Sequence, residues 1–248
     1  ISFYIFQSVG YLIDVYFNKV EPEKNVLKFA LFVSFFPQLV QGPISRYNQL
    51  APQLVEGNDF DWKSFKSGVF LMIWGYFKKL VIADRANILY TAIMDNYSSF
   101  QGIEIFVGML CFVLKIYCDF SGGLDIAMGV AKCVGVDLTP NFKRPFFALS
   151  VTEYWRRWHI TLGAWMKDYV LYPLTLSKGF NKFIKKCRKS LPGVAGKVIP
   201  SGVAMFFVFL LVGIWHGPNL TYLMVGVYNG VIIFIETIIN EVRKIKKI

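Results

Sequence analysis

Apolar residues fill two runs near the C-terminal end of the chain. The runs cover residues 198–215 and 220–240, so they contain 18 and 21 residues. At about 1.5 Å per residue they are roughly 27 and 32 Å long, and the hydrocarbon core of a bilayer is about 30 Å thick. The second run contains one acid, Glu236, near its end. We therefore predict two transmembrane helices here.

Helical patterns also occupy residues 1–17 and 62–94, and a polar turn at 58–61 precedes the second of them. Between them, residues 26–40 are apolar, but Pro37 interrupts the pattern, and proline removes a backbone donor from a helix. This pattern predicts a broken or re-entrant helix, which a membrane tolerates only where protein or water covers the freed backbone groups.

Two later segments combine helical patterns with polar side chains. Residues 102–118 predict another span, residues 119–123 a break, and residues 124–136 a short helix. Ser150 and Glu153 have the spacing of a capping box, which predicts a helix over 151–172 that stops at Pro173. That helix carries six polar or charged residues: Glu153, Arg156, Arg157, His159, Lys167 and Asp168. It cannot face lipid along its length, so it lies in the interface or lines the protein interior.

The composition agrees with a membrane protein. Of the 248 residues, 55% are hydrophobic and 17% charged, whereas a soluble domain has about 25% charged residues. The net charge of +11 is concentrated, because residues 178–197 hold seven positive residues and no negative one, and more follow at 243–247. By the positive-inside rule, we predict that the basic loop 178–197 and the C-terminus are cytoplasmic. Anionic headgroups are then the expected partner, and nucleic acid is not.

Several kinds of site and signal lack support in the sequence. The four cysteines show no CxxC pairing and no histidine at metal-ligand spacing. There is no Gly-rich phosphate loop, HExxH, GxSxG or carboxylate-rich cluster, so we expect no metal and no bound cofactor. The chain begins inside an apolar run without Met or a basic segment. We expect residues 1–248 to be one membrane domain, truncated at both ends.

The chain contains only two histidines, His159 and His216. His216 follows the first long apolar run, at the end opposite the basic loop, and an ionisable residue at membrane depth is a functional-site candidate. An imidazole can act as a general base near neutral pH. The alternatives are a His216 that caps the helix C-terminus or lies in the headgroup layer, and a His159 in an interfacial aromatic belt. On a helix, Trp155 and His159 would share a face, as would Glu153 and Arg157.

Two polar groups are candidates for substrate binding. Arg156 and Arg157, with Lys143 and Arg144, suit phosphate recognition, although positive-inside charge explains them equally simply. The second group lies at the predicted break and can bind a polar ligand or orient a neighbour, with helix capping as the alternative; it comprises Asp119, Ser121 and Asp125.

Seven stretches of the chain resemble bacterial membrane-bound O-acyltransferases, the MBOAT family, in the right order. They are FFPQL at 35–39, GPISRY at 42–47, DFSGGLDIAMG at 119–129, NFKRPF at 141–146, TEYWRRWHITL at 152–162, WMKDYV at 165–170 and GIWHG at 213–217. The resemblance implies an all-α polytopic bundle in which broken and interfacial helices line a tunnel. It also implies a catalytic His216, with His159 as the second active-site residue and Trp155, Arg156 and Arg157 near the substrate.

The resemblance further implies transfer of an acyl group from a cytoplasmic thioester to a hydroxyl acceptor. TEYWRRWH together with DFSG is most similar to the alginate O-acetylation branch, which passes acetyl groups to exported polysaccharide with extracytoplasmic partner proteins. D-alanyl transfer to teichoic acids is the related alternative. A transporter would instead show inverted repeats, which we do not find. A non-catalytic scaffold would tolerate replacement of His216.

Overall fold

Every regular element is helical in the part of the chain that the structure describes. This computed structural model describes residues 3–191, 193 and 195–246, and their only extended pairing is an isolated antiparallel bridge between Phe142 and Trp158. The all-α prediction is therefore confirmed. The residues form two compact units, 3–141 and 142–246, and each unit is described by itself.

The first unit contains six α-helices, with caps where the sequence places Asn and Asp. The helices are α1 (Phe3–Tyr16), α2 (Val26–Val33), α3 (Tyr47–Val55), α4 (Trp62–Tyr76), α5 (Asp84–Met94) and α6 (Ile103–Cys133). The Asn25 side chain accepts from the amides of Leu27 and Lys28, which satisfies two of the orphan donors at the start of α2. Asp61 caps α4 in the same way, so the polar turn predicted at 58–61 is confirmed.

The broken helix predicted over 26–40 is also confirmed. α2 ends at Val33, and a 3₁₀ turn at Phe36–Gln38 contains Pro37. Gln38 is almost completely buried, and its Oε1 accepts a 2.9 Å hydrogen bond from Ser45 Oγ. The side chain of Gln41 donates to the carbonyl oxygen of Phe120 at 3.4 Å. Side-chain amides therefore supply hydrogen bonds around the interruption.

The break predicted at residues 119–123 is wrong, because α6 runs without interruption for 31 residues. Its glycines serve close packing instead of ending the helix. A Cβ on Gly122 would lie 2.8 Å from the carbonyl oxygen of Gly75, and one on Gly75 would lie 2.6 Å from that of Gly122. The helices meet backbone to backbone at this crossing. The hydrogen-bond ladder of α6 therefore continues through a sequence that resembles a helix end.

The second unit contains six α-helices and a π-helical segment at Lys167–Leu171. The helices are α7 (Val151–Arg157), α8 (Ile160–Met166), α9 (Tyr172–Leu176), α10 (Lys178–Ser190), α11 (Ala195–His216) and α12 (Leu220–Lys246). Residues 178–190, predicted as a loop, are thus a helix. Their basic side chains favoured a loop, but an exposed helix face accommodates them equally well.

α11 and α12 form an antiparallel hairpin that agrees with the two predicted spans. Ala195–His216 and Leu220–Lys244 are long and apolar enough to cross a membrane, with mean hydropathies of 2.3 and 1.8. A Cβ on Gly213 would lie 2.6 Å from the carbonyl oxygen of Tyr222, and one on Gly226 would lie 2.6 Å from that of Phe209. The two backbones are therefore close at the end that carries His216. The span predicted over 102–118 is the first half of α6 and stays a prediction.

Candidate active site

His216 is the last residue of α11, at the tip of the hairpin. Gly217 and Pro218 follow it, and proline cannot continue a helix because it lacks the backbone N–H. His216 is exposed at this end of the hairpin. Exposure at the end of an apolar helix leaves the imidazole accessible to a reacting group.

His159 lies in a break between two short helices. α7 ends at Arg157, Trp158 is extended, and His159 has a left-handed backbone with φ 47° and ψ 51° before α8 begins at Ile160. Non-glycine residues rarely adopt positive φ, and such residues persist where the surroundings impose them. The residues directly before His159 are held by the bridge between Phe142 and Trp158 and by a 2.9 Å bond from the Lys143 amide to the Arg157 carbonyl oxygen.

This break contradicts the continuous helix predicted over 151–172. Trp155 and His159 do not share a helix face, because the helix between them ends. Beyond the break, α9 continues through Pro173 to Leu176, since the preceding π-helical segment alters the hydrogen bonding before the proline. His159 is 5% exposed, so its imidazole is buried at this break between the two helices.

The indole ring of Trp215 contacts the rings of both histidines. The centroid of the Trp215 ring lies 6.3 Å from that of His159 and 4.6 Å from that of His216. The His216 ring is also stacked on Tyr222, with centroids 5.9 Å apart and planes 24° apart. The structure therefore brings together two residues that are 57 positions apart in the sequence, one buried and one accessible.

Polar side chains of α12 hold α7 in place. Glu236 Oε2 accepts a 2.9 Å hydrogen bond from the Thr152 amide, and Asn229 Oδ1 accepts one from the Trp155 indole at 3.2 Å. The Trp155 ring also contacts Phe209 at 5.1 Å. Sequence reasoning missed the roles of Asn229 and Glu236. The two residues are two helical turns apart, so they lie on the same face of an apolar span. Polar side chains in that arrangement indicate contact with another segment of the protein.

The predicted capping box is present in modified form. Ser150 Oγ accepts from the Glu153 amide at 3.0 Å, but Glu153 reaches back to the Leu149 amide at 2.8 Å rather than to that of Ser150. Glu153 also pairs with Arg157, as predicted from their spacing. The Leu149 amide, and then the Arg157 guanidinium, lower the pKa of the Glu153 carboxyl.

The predicted substrate-binding residues of this unit differ in their surroundings. Arg157 is engaged by Glu153 and donates to the Arg144 carbonyl oxygen at 3.4 Å, whereas Arg156 is exposed. Trp155 is committed to contacts with α11 and α12. Arg156 is thus the member of this set whose side chain is most available to a substrate, and substrate contact by all three stays a prediction.

The predicted polar group of the first unit forms two ion-pair clusters with lysines of a π-helical segment at Phe77–Ala83. Lys78 Nζ lies 2.6 Å from Asp125 Oδ2 and donates to Ser121 Oγ at 3.0 Å. Lys79 Nζ lies 2.8 Å from Asp119 Oδ1 and 2.7 Å from Asp84 Oδ1.

Asp119, Ser121 and Asp125 all lie inside α6, and this position excludes the helix-capping alternative. Their binding of substrate stays a prediction. Sequence reasoning missed the lysine partners, which follow from packing between distant segments. Within the described residues, no group of three or more His, Cys, Asp or Glu side chains has the arrangement of a metal site.

Comparison with known protein families gives a match to the description "MBOAT, membrane-bound O-acyltransferase family" over residues 23–186. The match covers more than half of the 248 residues and includes His159. The chain belongs to the MBOAT family. The resemblance found in the sequence motifs is therefore confirmed, and with it the membrane helical fold.

Three relatives illustrate the range of MBOAT proteins that this chain resembles. It is 35% identical to the probable alginate O-acetylase AlgI of Pseudomonas syringae pv. tomato, over 95% of the chain and 42% of that protein. Identity to the peptidoglycan O-acetyltransferase of Helicobacter pylori is 31%, over 93% and 46%. Identity to the teichoic acid D-alanyltransferase of Bacillus subtilis is 24%, over 94% and 57%.

The chain thus spans about half the length of the relatives it matches. Because the AlgI match leaves only 5% of the chain outside it, the matched stretch includes position 216, beyond the end of the family match. Both histidine-bearing segments therefore lie in the region shared with this MBOAT relative.

Proposed function

We propose that the protein is a membrane O-acetyltransferase that moves an acetyl group from a thioester donor to hydroxyls of an exported cell-surface polysaccharide. The observation that carries this proposal is the pair of histidines whose rings both contact Trp215, near the tip of a membrane-spanning hairpin. Acetyl is preferred over D-alanyl because the chain is 35% and 31% identical to two O-acetyl-transferring relatives but 24% identical to the D-alanyltransferase.

In this proposal, His216 is the general base. Its neutral imidazole takes the proton of the acceptor hydroxyl as the hydroxyl oxygen forms a bond to the thioester carbonyl carbon. The carbon–sulfur bond then breaks, the ester remains on the polysaccharide, and the thiolate takes the proton back from His216. The exposed position of His216 suits contact with both substrates.

His159 is proposed to stabilise the charge that develops on the carbonyl oxygen. A neutral imidazole has one N–H donor, and burial favours that neutral form because water is excluded. A donor that the backbone already holds in place needs little rearrangement in the transition state, which makes its hydrogen bond more effective. The His159 ring is buried and contacts the Trp215 ring, with centroids 6.3 Å apart, which restricts its movement.

The proposed orientation follows the positive charges. α10 and the end of α12 carry the basic residues, and both lie at the end of the hairpin opposite His216. We propose that this basic end is cytoplasmic. The donor then enters from the cytoplasm and reaches His216 at the opposite end of the hairpin, where extracytoplasmic partner proteins position the polymer. Both compact units are proposed to belong to one membrane domain.

Chemical analysis of the polymer tests this proposal. Cells that produce the protein are expected to carry acetyl esters on a surface polysaccharide, and cells that lack it are expected to lose them. Mild base releases the esterified groups, and mass spectrometry identifies them. Release of D-alanine would assign the protein to the related D-alanyl reaction. An unchanged polymer in the deletion strain would remove support for acyl transfer and favour a transporter.

A second prediction concerns Glu236 as a positioning residue. Glu236→Ala removes the acceptor of the Thr152 amide, so α7 loses a polar attachment to α12 and keeps the one from Trp155 to Asn229. We expect about a tenfold loss of kcat with little change in KM, equivalent to about 1.4 kcal/mol. Rates are to be measured as acyl transfer by purified protein.

Two further variants control this experiment. Glu236→Gln keeps a carbonyl oxygen that can accept the amide, so it is expected to restore most of the rate. Thr237→Val removes a hydroxyl that bonds only within α12, to the Ile233 carbonyl oxygen, and is expected to be neutral. Equal losses in all three variants would indicate general damage to α12 and contradict the positioning role.

A further inference from the structure

α10 separates its charged and apolar side chains onto two faces. Six cations and no acid occur in its 13 residues. All six are exposed, and they are Lys178, Lys182, Lys185, Lys186, Arg188 and Lys189. On a helix of 3.6 residues per turn these positions lie within one half of the circumference. The exposed half of α10 therefore carries only positive charges.

The opposite face of α10 is apolar and packed. Phe180, Phe183, Ile184 and Cys187 follow the spacing i, i+3, i+4 and i+7, and each is wholly or partly buried. The rings of Phe180 and Phe183 contact each other at 5.5 Å. A Cβ on Gly196 would lie 3.2 Å from the Cys187 carbonyl oxygen. The end of α10 is therefore packed closely against the start of α11.

The position of α10 places its positive face at the boundary of the membrane. α10 ends at Ser190, and the spanning helix α11 begins only a few residues later, at Ala195. α12 returns to the same end, because Gly202 meets Phe234 at this side of the hairpin. Arg243, which is exposed, adds to the positive surface there.

We propose that α10 is an interfacial helix that binds the phosphate groups of anionic phospholipids. Charge complementarity favours this occupant, because each cation near an anionic membrane surface contributes a similar increment of attraction. Position favours it too, since α10 ends only a few residues before the spanning helix α11, and basic residues next to a span lie near the headgroups. The binding does not depend on acyl transfer, so it can be tested without an acyl donor.

Lipid retention by the purified protein tests the proposal. The protein in detergent micelles is supplied with equal amounts of phosphatidylglycerol and phosphatidylcholine of the same chain length, and bound lipid is counted by native mass spectrometry. We expect preferential retention of phosphatidylglycerol that declines as salt is raised. Replacing Lys182, Lys185, Lys186 and Lys189 together by Gln is expected to weaken this retention roughly fivefold for each cation removed.

Two matched variants separate local charge from total charge and from folding. Arg at the same four positions keeps the charge and is expected to keep the lipid. Gln at Lys24, Lys28, Lys63 and Lys66 removes the same charge from exposed lysines of the first unit and is expected to have little effect. Equal retention of the two lipids, or unchanged retention in the α10 Gln variant, would overturn the proposal. The proposal would also be overturned if nucleic acid co-purified with the wild-type protein and was lost from the α10 Gln variant while lipid retention stayed intact.

Discussion

Replacing His216 by Ala is expected to lower the rate of acyl transfer by about 10²–10⁴-fold, the usual contribution of a general base. The imidazole lies at the tip of the hairpin, is exposed, and contacts the rings of Trp215 and Tyr222. No other histidine adjoins it except His159, whose burial makes it a poor substitute. The measurement is the ester content of the surface polymer in cells that produce each variant at matched levels.

Two variants make this result specific. His216→Gln keeps a hydrogen-bond donor but cannot accept the proton as imidazole does, so it is expected to be as inactive as His216→Ala. Ile214→Ala truncates an exposed apolar side chain on the same turn of α11, 56% exposed, and is expected to be active. Full activity of His216→Gln would show that the ring acts as a donor or spacer rather than as a base.

Replacing Lys78 by Met is expected to destabilise the protein by about 3–5 kcal/mol, because it leaves the Asp125 carboxylate without its cation. The Lys78 residue is 7% exposed, and the ammonium group bonds both Asp125 and Ser121. Its neighbour Lys79 is the matched control, since its side chain is 41% exposed and pairs with exposed acids. Lys79→Met is expected to cost about 0–1 kcal/mol. Unfolding by denaturing detergent in mixed micelles measures both.

The double variant Lys78→Met, Asp125→Leu tests the physical reason for this loss. Removing both charges leaves no uncompensated ion, and apolar replacements of a buried pair are often tolerated. We expect the double variant to recover most of the stability lost in Lys78→Met. A double variant that is no more stable than Lys78→Met would mean that the loss does not come from the unpaired Asp125 carboxylate.

Local patterns predicted those parts of the fold that depend on neighbouring residues. The two spans, the cap at Ser150, the turn that ends at Asp61 and the interruption at Pro37 all follow from composition or from the chemistry of one or two side chains. The apolar spacing of Phe180 and Phe183 likewise contained the signal for α10, although its many cations favoured a loop in our prediction.

Features that depend on distant partners could not be predicted in this way. No residue between Trp155 and Ile160 is typical of a helix end. The helix ends where Trp158 pairs with Phe142, which is distant in the sequence. At Gly122 the reverse holds, since a sequence typical of a break stays helical where another backbone crosses it. The closeness of the two histidines was expected from family resemblance alone. Their shared contact with Trp215 required the structure.

The most direct test of the central claim uses purified protein, a thioester donor with a labelled acetyl group and a polysaccharide that carries free hydroxyls. We predict label in base-labile esters on the polysaccharide with the wild-type protein, and background label with His216→Ala and with His159→Ala. Equal labelling by the wild-type protein and the His216→Ala variant would contradict the proposal that the histidines beside Trp215 form the active site.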